Sequence, residues 1–211
     1  PNRKPAEWPK IIEPSGEKFK MNTLDTIAAR RSIRRFKPDP IPDEALQAIL
    51  TAAIQAPSGK NRQPWKFIVV NEDKRAEMMR VMREGMAKAE AQDRDMGSSE
   101  GTARIMDQAP VTVFIFNPDG KHPSEEHSTE ETFWDVVNIQ SIGASIQNML
   151  LAALDLGIGS LWICDVFYAY KELCDWLGED CQMIAAVSFG YPDEDPEARN
   201  RKPVDEVTKW L

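Results

Sequence analysis

Histidine and cysteine are scarce in this sequence, and their scarcity excludes several kinds of active site. The 211 residues include two histidines and three cysteines. His122 and His127 lie in a segment of polar residues, glycine and proline, where neither a nucleophile–base pair nor a preorganised metal site is expected. The cysteines are odd in number and lack the spacing of a zinc site or a redox pair. We therefore expect no metal site, and free thiols in a reducing cytoplasm.

Glycine motifs that bind nucleotides are also absent. The sequence contains no G-x-G-x-x-G after a strand and no P-loop. The run G-I-G-S at residues 157–160 is better explained as the turn that ends a helix. A nucleotide-like cofactor would therefore be held by side chains. Because no base–nucleophile set is evident, the chemistry would belong to that cofactor.

Long hydrophobic runs are missing too. The most apolar stretch, residues 142–164, contains Gln147, Asn148 and Asp155, which predicts a buried helix and a following strand or loop. A membrane span is not expected. The first twenty residues are polar and interrupted by prolines, so no signal peptide is expected. Cys164 ends the apolar stretch, and we expect it to be a small buried side chain, with a reactive thiol as the alternative.

Positive charge is in the minority but is concentrated. Acidic residues outnumber basic ones by 34 to 26, which gives a net charge of −8 and argues against general nucleic-acid binding. Four arginines nevertheless fall within the seven residues R-R-S-I-R-R-F at 30–36, and a second basic run, R-N-R-K, lies at 199–202. Arginine binds phosphate oxygens through paired hydrogen bonds. The pattern predicts an anion site; a solvated basic turn, or a docking surface for an acidic partner, is the alternative.

Hydrophobic periodicity and turn residues predict an α+β fold. Helices are expected near residues 22–28, 43–56, 73–92, 104–108, 129–156 and 166–177, and strands near 65–71, 111–116 and 183–189. Ser128 and Glu131 form a capping-box pattern at the start of the longest helix, whose small residues would allow another helix to approach closely. Gly97 to Gly101 is expected to be a break between helices.

Three further segments need interpretation. Met78, Met79, Met82 and Met86 have helical spacing, which favours a half-buried helix, with a mobile lid over a ligand as the alternative. Residues 1–20 are expected to form an extended arm ahead of a single domain at 21–211. The charged tail after residue 192 lacks helical periodicity, so it is expected to cross a surface as a C-terminal arm.

Four segments, in this order, resemble the nitroreductase family of FMN enzymes. They are R-R-S-I-R at residues 30–34, A-P-S-G-K-N-R-Q-P-W at 56–65, L-G-I-G-S-L-W-I at 156–163, and G-Y-P at 190–192 followed by R-N-R-K-P at 199–203. Each is weak alone, but the ordered set is specific and extends over nearly the whole chain. The resemblance implies a mostly antiparallel central sheet flanked by helices, in an intertwined homodimer with FMN at the subunit interface.

The resemblance also implies which positions contact the cofactor. Those at the phosphate and ribityl end are Arg30, Ser32, Arg199 and Arg201, and Arg31 is a further cofactor-binding position. Arg34 would lie near the N1–O2 edge of the flavin, with Arg104 near the pyrimidine. Those along the ring are Leu161, Trp162, Ile163 and Cys164. Those supplied by the partner subunit are Pro57, Ser58, Gly59 and Asn61.

The implied activity is a reduction in two half-reactions. NADH or NADPH would pass hydride to flavin N5, and a flat acceptor such as a nitroaromatic or a quinone would then take the electrons. Cys164-Asp165 stands where members with nitro activity often carry an acidic residue followed by glycine. Alternatives within the family are therefore alkene reduction, dehalogenation or flavin breakdown, although residues 78–130 lack the tyrosine expected of a dehalogenase lid. A flavin carrier or sensor without turnover is the alternative from another class.

Overall fold

A four-stranded antiparallel sheet lies at the centre of the computed structural model, which describes residues 22–211. The strands are β1 (Lys66–Val70), β2 (Val111–Asn117), β3 (Gly159–Ile163) and β4 (Gln182–Gly190), arranged in the order β1-β2-β4-β3. Val113 of β2 pairs with Val187 of β4, which in turn pairs with Trp162 of β3. Every side chain of β2 is buried, so both faces of the sheet have to be covered. The predicted α+β class with an antiparallel sheet is confirmed.

Helices cover both faces of the sheet. They are α1 (Thr23–Ala29), α2 (Asp43–Ala53), α3 (Glu72–Glu90), α4 (Ser99–Gln108), α5 (Thr129–Asp155), α6 (Tyr170–Leu177) and α7 (Val204–Val207), with 3₁₀ turns at Gly59–Asn61 and Asp165–Ala169. Side chains alternate along β2. Phe114 and Phe116 pack with residues of α3, α4 and α6, while Val113 and Ile115 pack with residues of α2 and α5. The strand alternation therefore separates two cores.

Two of the predicted helices form as expected. Met78, Met79, Met82 and Met86 are buried on one face of α3, so this helix belongs to the core. At the start of α5, the Ser128 backbone N–H donates to Glu131 Oε2 at 2.8 Å, and the Glu131 N–H donates to Ser128 Oγ at 3.2 Å. Lys121 first, and then Ser128, lower the pKa of Glu131 to about 2. The predicted capping box is confirmed.

Other expectations need correction. Gly101 lies inside α4 and not in a break, because buried Ser99, Ala103 and Met106 anchor that helix against the core from its first turn. The tail contains the short helix α7, which follows Pro203 and carries two acidic residues in its first turn. The helix expected at 166–177 is divided into a 3₁₀ turn and α6.

The predicted arm at residues 1–20 lies outside the described residues. Within residues 22–211, none of the helices has the length and apolar character needed to cross a membrane.

Candidate functional site

Backbone pairing brings the two basic segments together. The N–H of Ile33 donates to the carbonyl of Ser160 in β3 at 3.0 Å, which lays the first segment along the strand. Further along, the Lys37 N–H donates to the carbonyl of Tyr191 at 2.8 Å, and the Asp193 N–H donates to the carbonyl of Arg35 at 2.9 Å. All three bonds join positions that are distant in sequence. They place the chain leading to Arg199 beside Arg30.

One carboxylate stabilises this junction. Glu194 accepts a hydrogen bond from the backbone N–H of Arg34 and forms an ion pair with the Arg35 side chain at 3.6 Å. The Arg34 guanidinium is left to donate to the carbonyl of Ser32 at 3.1 Å. Glu194 lies in the acidic run D-E-D at 193–195, where nothing in the sequence distinguishes it from its neighbours.

The two segments form an arginine cluster, which comprises Arg30, Arg31, Arg34, Arg199 and Arg201. With Ser32, the cluster lines a cavity of about 350 Å³. None of its side chains forms an ion pair with a residue between 22 and 211. Burial lowers the pKa of Arg30, and the neighbouring charges of Arg201 and Arg31 lower it further. This concentration of mutually repelling cations fits an anionic ligand.

A second cavity of about 530 Å³ adjoins the first, because Arg34 and Arg199 line both. Its apolar wall comes from the end of β3 and from α4, and includes Leu161, Trp162, Ile163 and Ile105. The Trp162 side chain is 39% exposed. The two cavities together form a trough with a cationic end and an apolar end. A planar ring attached to a phosphate has this distribution of properties.

Cys164 also lines the apolar end, and it is exposed, so the prediction of a buried side chain is wrong. Side chains alternate along β3, and Ile163 takes the buried position immediately before Cys164. Partial burial, and then the charge of Asp165, raise the pKa of the Cys164 thiol above its ordinary value. The thiol is therefore protonated near neutral pH.

Asp165 ties the two walls of the second cavity together. Its Oδ2 accepts hydrogen bonds from Ser98 Oγ at 3.0 Å and from Thr102 Oγ1 at 2.5 Å. These contacts fasten the first turn of α4 to the end of β3. The contacts of Asp165 with Ser98 and Thr102 could not be predicted from the sequence. The spacing of four between Ser98 and Thr102 indicates one helical face, but nothing in the sequence indicates what that face meets.

Other predicted positions lie elsewhere. Pro57, Ser58, Gly59 and Asn61 line neither cavity; their segment packs against α5, where the Gly59 N–H donates to Ser141 Oγ at 3.3 Å. Arg104 also lines neither cavity, and its Nε donates to the Glu100 carbonyl of its own helix at 3.4 Å. The structure brings together the predicted residues of segments 30–34, 161–164 and 199–201.

An exposed apolar stripe runs along the N-terminal half of α5, next to the segment that contains Gly59. Phe133 is 67% exposed, and Val136 and Ile139 are also exposed. On α1, Leu24 and Ile27 are exposed as well. Contiguous apolar surface of this kind marks contact sites in folded proteins.

Comparisons with known proteins agree on one family. Residues 27–191 match the sequence profile of the Nitroreductase family. A relative from Thermus thermophilus named NADH dehydrogenase is 44% identical, with 86% of this chain and 92% of the relative covered. A relative from Vibrio harveyi named NADPH-flavin oxidoreductase is 27% identical, with 88% of this chain and 72% of the relative covered. A protein from Desulfovibrio desulfuricans, described as a nitroreductase and solved in complex with FMN, is 28% identical, with a TM-score of 0.70 and coverage of 91% and 98%.

Proposed function

The chain belongs to the nitroreductase family, and from this premise we propose that it is an FMN-dependent oxidoreductase that uses NADH or NADPH. The observation that carries the proposal is the trough, in which an arginine cluster without carboxylate partners among residues 22–211 adjoins an apolar cavity. The names of relatives as a nitroreductase, a flavin oxidoreductase and an NADH dehydrogenase support the same reaction class. The chemistry that FMN supplies when bound is two-electron transfer from the nicotinamide to an acceptor.

The residues present fit FMN at both ends of the molecule. Arg30, Arg199 and Arg201 would hold the phosphate, since paired N–H donors match its oxygens. Arg34 lies where the two cavities meet. Its cation would stabilise negative charge on the pyrimidine half of the ring. The apolar wall of β3 and α4 would cover one face of the ring and exclude water from it.

The acceptor proposed is a flat molecule such as a nitroaromatic or a quinone. Trp162 and Ile105 offer apolar surface to such a ring. Asp165 is the one carboxylate among the described residues that line the second cavity, and it is already bonded to Ser98 and Thr102. The cavity therefore offers no free carboxyl group among the described residues, which favours acceptors whose oxygens take protons from water.

The proposed assembly is a homodimer with FMN at the interface. The exposed stripe of Phe133, Val136 and Ile139 would be buried by a second copy of the chain. The neighbouring segment with Pro57, Ser58, Gly59 and Asn61 would then reach the cofactor of the partner. This arrangement accounts for predicted cofactor contacts that lie outside the trough of their own protomer.

The test is a visible absorption spectrum of the purified protein, followed by anaerobic addition of NADH or NADPH. We expect the two absorption bands of flavin, and bleaching by at least one of the two nicotinamides. A flavin that neither donor bleaches would contradict the enzymatic role and favour a carrier. A colourless protein that cannot be loaded with FMN would contradict the proposal as a whole.

A further inference from the structure

The loop at residues 58–63 has an unusual backbone. Lys60, Asn61 and Gln63 have φ values of 52°, 53° and 52°, in the left-handed region. Non-glycine residues seldom adopt this region, and such residues persist only where surrounding contacts hold them. Three of them among six residues require an external support.

The first support is a close contact with α5 at Gly59. The Gly59 N–H donates to Ser141 Oγ, and Ser141 Oγ in turn donates to the carbonyl of Val137 at 2.8 Å. A Cβ atom at position 59 would overlap Cγ1 of Val137. Gly59 itself lacks the positive φ of its neighbours. A glycine is therefore needed here for space, because the loop backbone lies directly on the side chain of Val137.

The second support is the indole ring of Trp134. Lys60 Nζ lies 5.0 Å from the ring centroid, and Arg62 Cζ lies 4.3 Å from it. A cation at this distance is attracted by the negative face of the ring. Arg62 also forms an ion pair with Asp119 at 3.7 Å. Two loop side chains are thus held on α5, while Asn61, between them in sequence, stays exposed.

These contacts belong to the outer surface of α5 and not to the core. The helix is anchored by Ile142, Ile146 and Met149, which are fully buried, whereas Trp134 is only half-buried. The indole ring therefore lies outside the buried core, and the cations of the loop are among its contacts. A preformed loop loses less conformational entropy when it meets a ligand than a flexible loop does.

We propose that Trp134 and Val137 are positioning residues for the FMN site, and that they act by holding the 58–63 loop in the left-handed conformation that presents Asn61 to the cofactor of the partner subunit. This inference rests on the proposed function. It adds that α5 fixes the shape of the loop that would reach across the dimer interface. Substitutions that disturb these contacts are expected to change the affinity for FMN and the environment of the bound flavin, but not the fold.

The first experiment compares Trp134→Leu with Trp134→Phe by titrating apo-protein with FMN and following the quenching of flavin fluorescence. Loss of both cation–π contacts is expected to weaken binding about tenfold in Trp134→Leu, while the aromatic ring of Trp134→Phe retains most of the affinity. The circular dichroism of bound flavin is expected to change only in the leucine variant. Trp176→Leu, at a half-buried tryptophan on α6, is the matched control and is expected to bind FMN normally.

The second experiment uses compensation. Gly59→Ala is expected to weaken FMN binding about tenfold or more, because the added methyl group meets Val137 and displaces the loop. Val137→Ala removes the obstructing methyl groups, so the double variant Gly59→Ala/Val137→Ala is expected to recover most of the affinity. Thermal unfolding and sedimentation are expected to show a folded dimer in every variant.

The two proposals can fail separately. Wild-type protein that does not bind FMN would contradict the proposed function. Wild-type protein that binds FMN, together with Trp134→Leu and Gly59→Ala variants of unchanged affinity, would contradict the positioning role alone. Loss of the dimer in Trp134→Leu, or no recovery in the double variant, would also contradict it, because the residues would then support assembly or folding and not the loop.

Discussion

Two surfaces of this molecule carry several cations each, and they differ in whether those cations form ion pairs with carboxylates. On the α3 face, defined by Arg75, Arg80, Arg83 and Lys88, every cation has a carboxylate partner, at distances from 2.7 to 3.3 Å. The arginine cluster has no such partners among residues 22–211. Exposed ion pairs contribute little and need no ligand. Cations that form no ion pair keep their capacity to bind an anion, so ion pairing distinguishes a candidate anion site from a solvated surface.

Cavity size points in the opposite direction. A larger cavity, about 720 Å³, lies beside the α3 face and is lined by residues that include the aromatic Phe167, Tyr168 and Tyr170. Two of its cations, Lys88 and Lys171, are bound to Glu172 and Asp175. The cavity of the arginine cluster has about 350 Å³. Volume alone would favour the larger cavity, whereas charge and chemistry favour the trough.

The largest expected effect comes from removing the cluster. Arg30→Ala/Arg199→Ala is expected to weaken FMN binding about 100-fold or more, since each charged hydrogen bond contributes about 1.5–3 kcal/mol. Fluorescence titration measures the change. Arg80→Ala/Arg83→Ala, which removes two cations from the α3 face, is the matched control. Equal losses in the two double variants would show that net charge matters and the cluster does not.

A substitution of Arg34 tests whether the flavin ring lies where the two cavities meet. Arg34→Met is expected to lower the midpoint potential of bound FMN by about 20–40 mV, because a positive charge stabilises the reduced, anionic ring, and about 30 mV corresponds to 1.4 kcal/mol for two electrons. Arg34→Lys keeps the charge and is expected to keep most of the potential. A potential that does not differ between wild type and Arg34→Met would place Arg34 away from the ring.

Alkaline pH is expected to lower the stability of the fold through titratable groups in and near α6. Burial raises the pKa of Cys174 and of Tyr170 to about 12, and that of Cys181 to about 11. The folded state then keeps protons that the unfolded chain releases, so stability is complete below about pH 9 and falls as the pH rises towards 12. Thermal unfolding between pH 8 and 11 measures the fall, which Cys174→Ala should reduce. An unchanged slope in that variant would exclude Cys174 as a source.

The smallest effect is expected on the α3 face itself. Replacing Arg80 by alanine removes the pair with Glu84 at 2.7 Å and is expected to change the free energy of unfolding by at most about 0.5 kcal/mol. Urea unfolding provides the measurement. A loss above about 2 kcal/mol would show that these pairs stabilise the fold, and the contrast with the arginine cluster would then be one of degree.

Sequence reasoning succeeded where the cause was local. The capping box needs only Ser128 and Glu131, and the buried face of α3 follows from the spacing of Met78, Met82 and Met86. It failed where the cause lies between distant segments. Cys164 is exposed because of where β3 ends, and Gly101 is helical because the core holds α4. The meeting of Arg30 with Arg199 depends on backbone pairing between residues 35–37 and 191–193. The resemblance implied that the two arginines meet at one cofactor, but composition could not show it.

The left-handed residues illustrate a third case. Three neighbouring residues have a positive φ: Lys60, Asn61 and Gln63. Of these, only the asparagine has a local preference for that region. Two contacts with α5 accompany this conformation: Gly59 lies against Val137, and the Lys60 and Arg62 side chains lie over the ring of Trp134. The segment was identified by its resemblance to a family, but the reason for its shape appears only in the packing.

The most direct test of the central claim is to compare the affinity of the wild-type apo-protein for FMN with its affinity for riboflavin, which lacks the phosphate. If the arginine cluster holds the phosphate, FMN is expected to bind about 100-fold more tightly or better, and this preference should disappear in Arg30→Ala/Arg199→Ala. Equal affinity for the two flavins in the wild-type protein would contradict the account, because the cluster would then have no part in binding the cofactor.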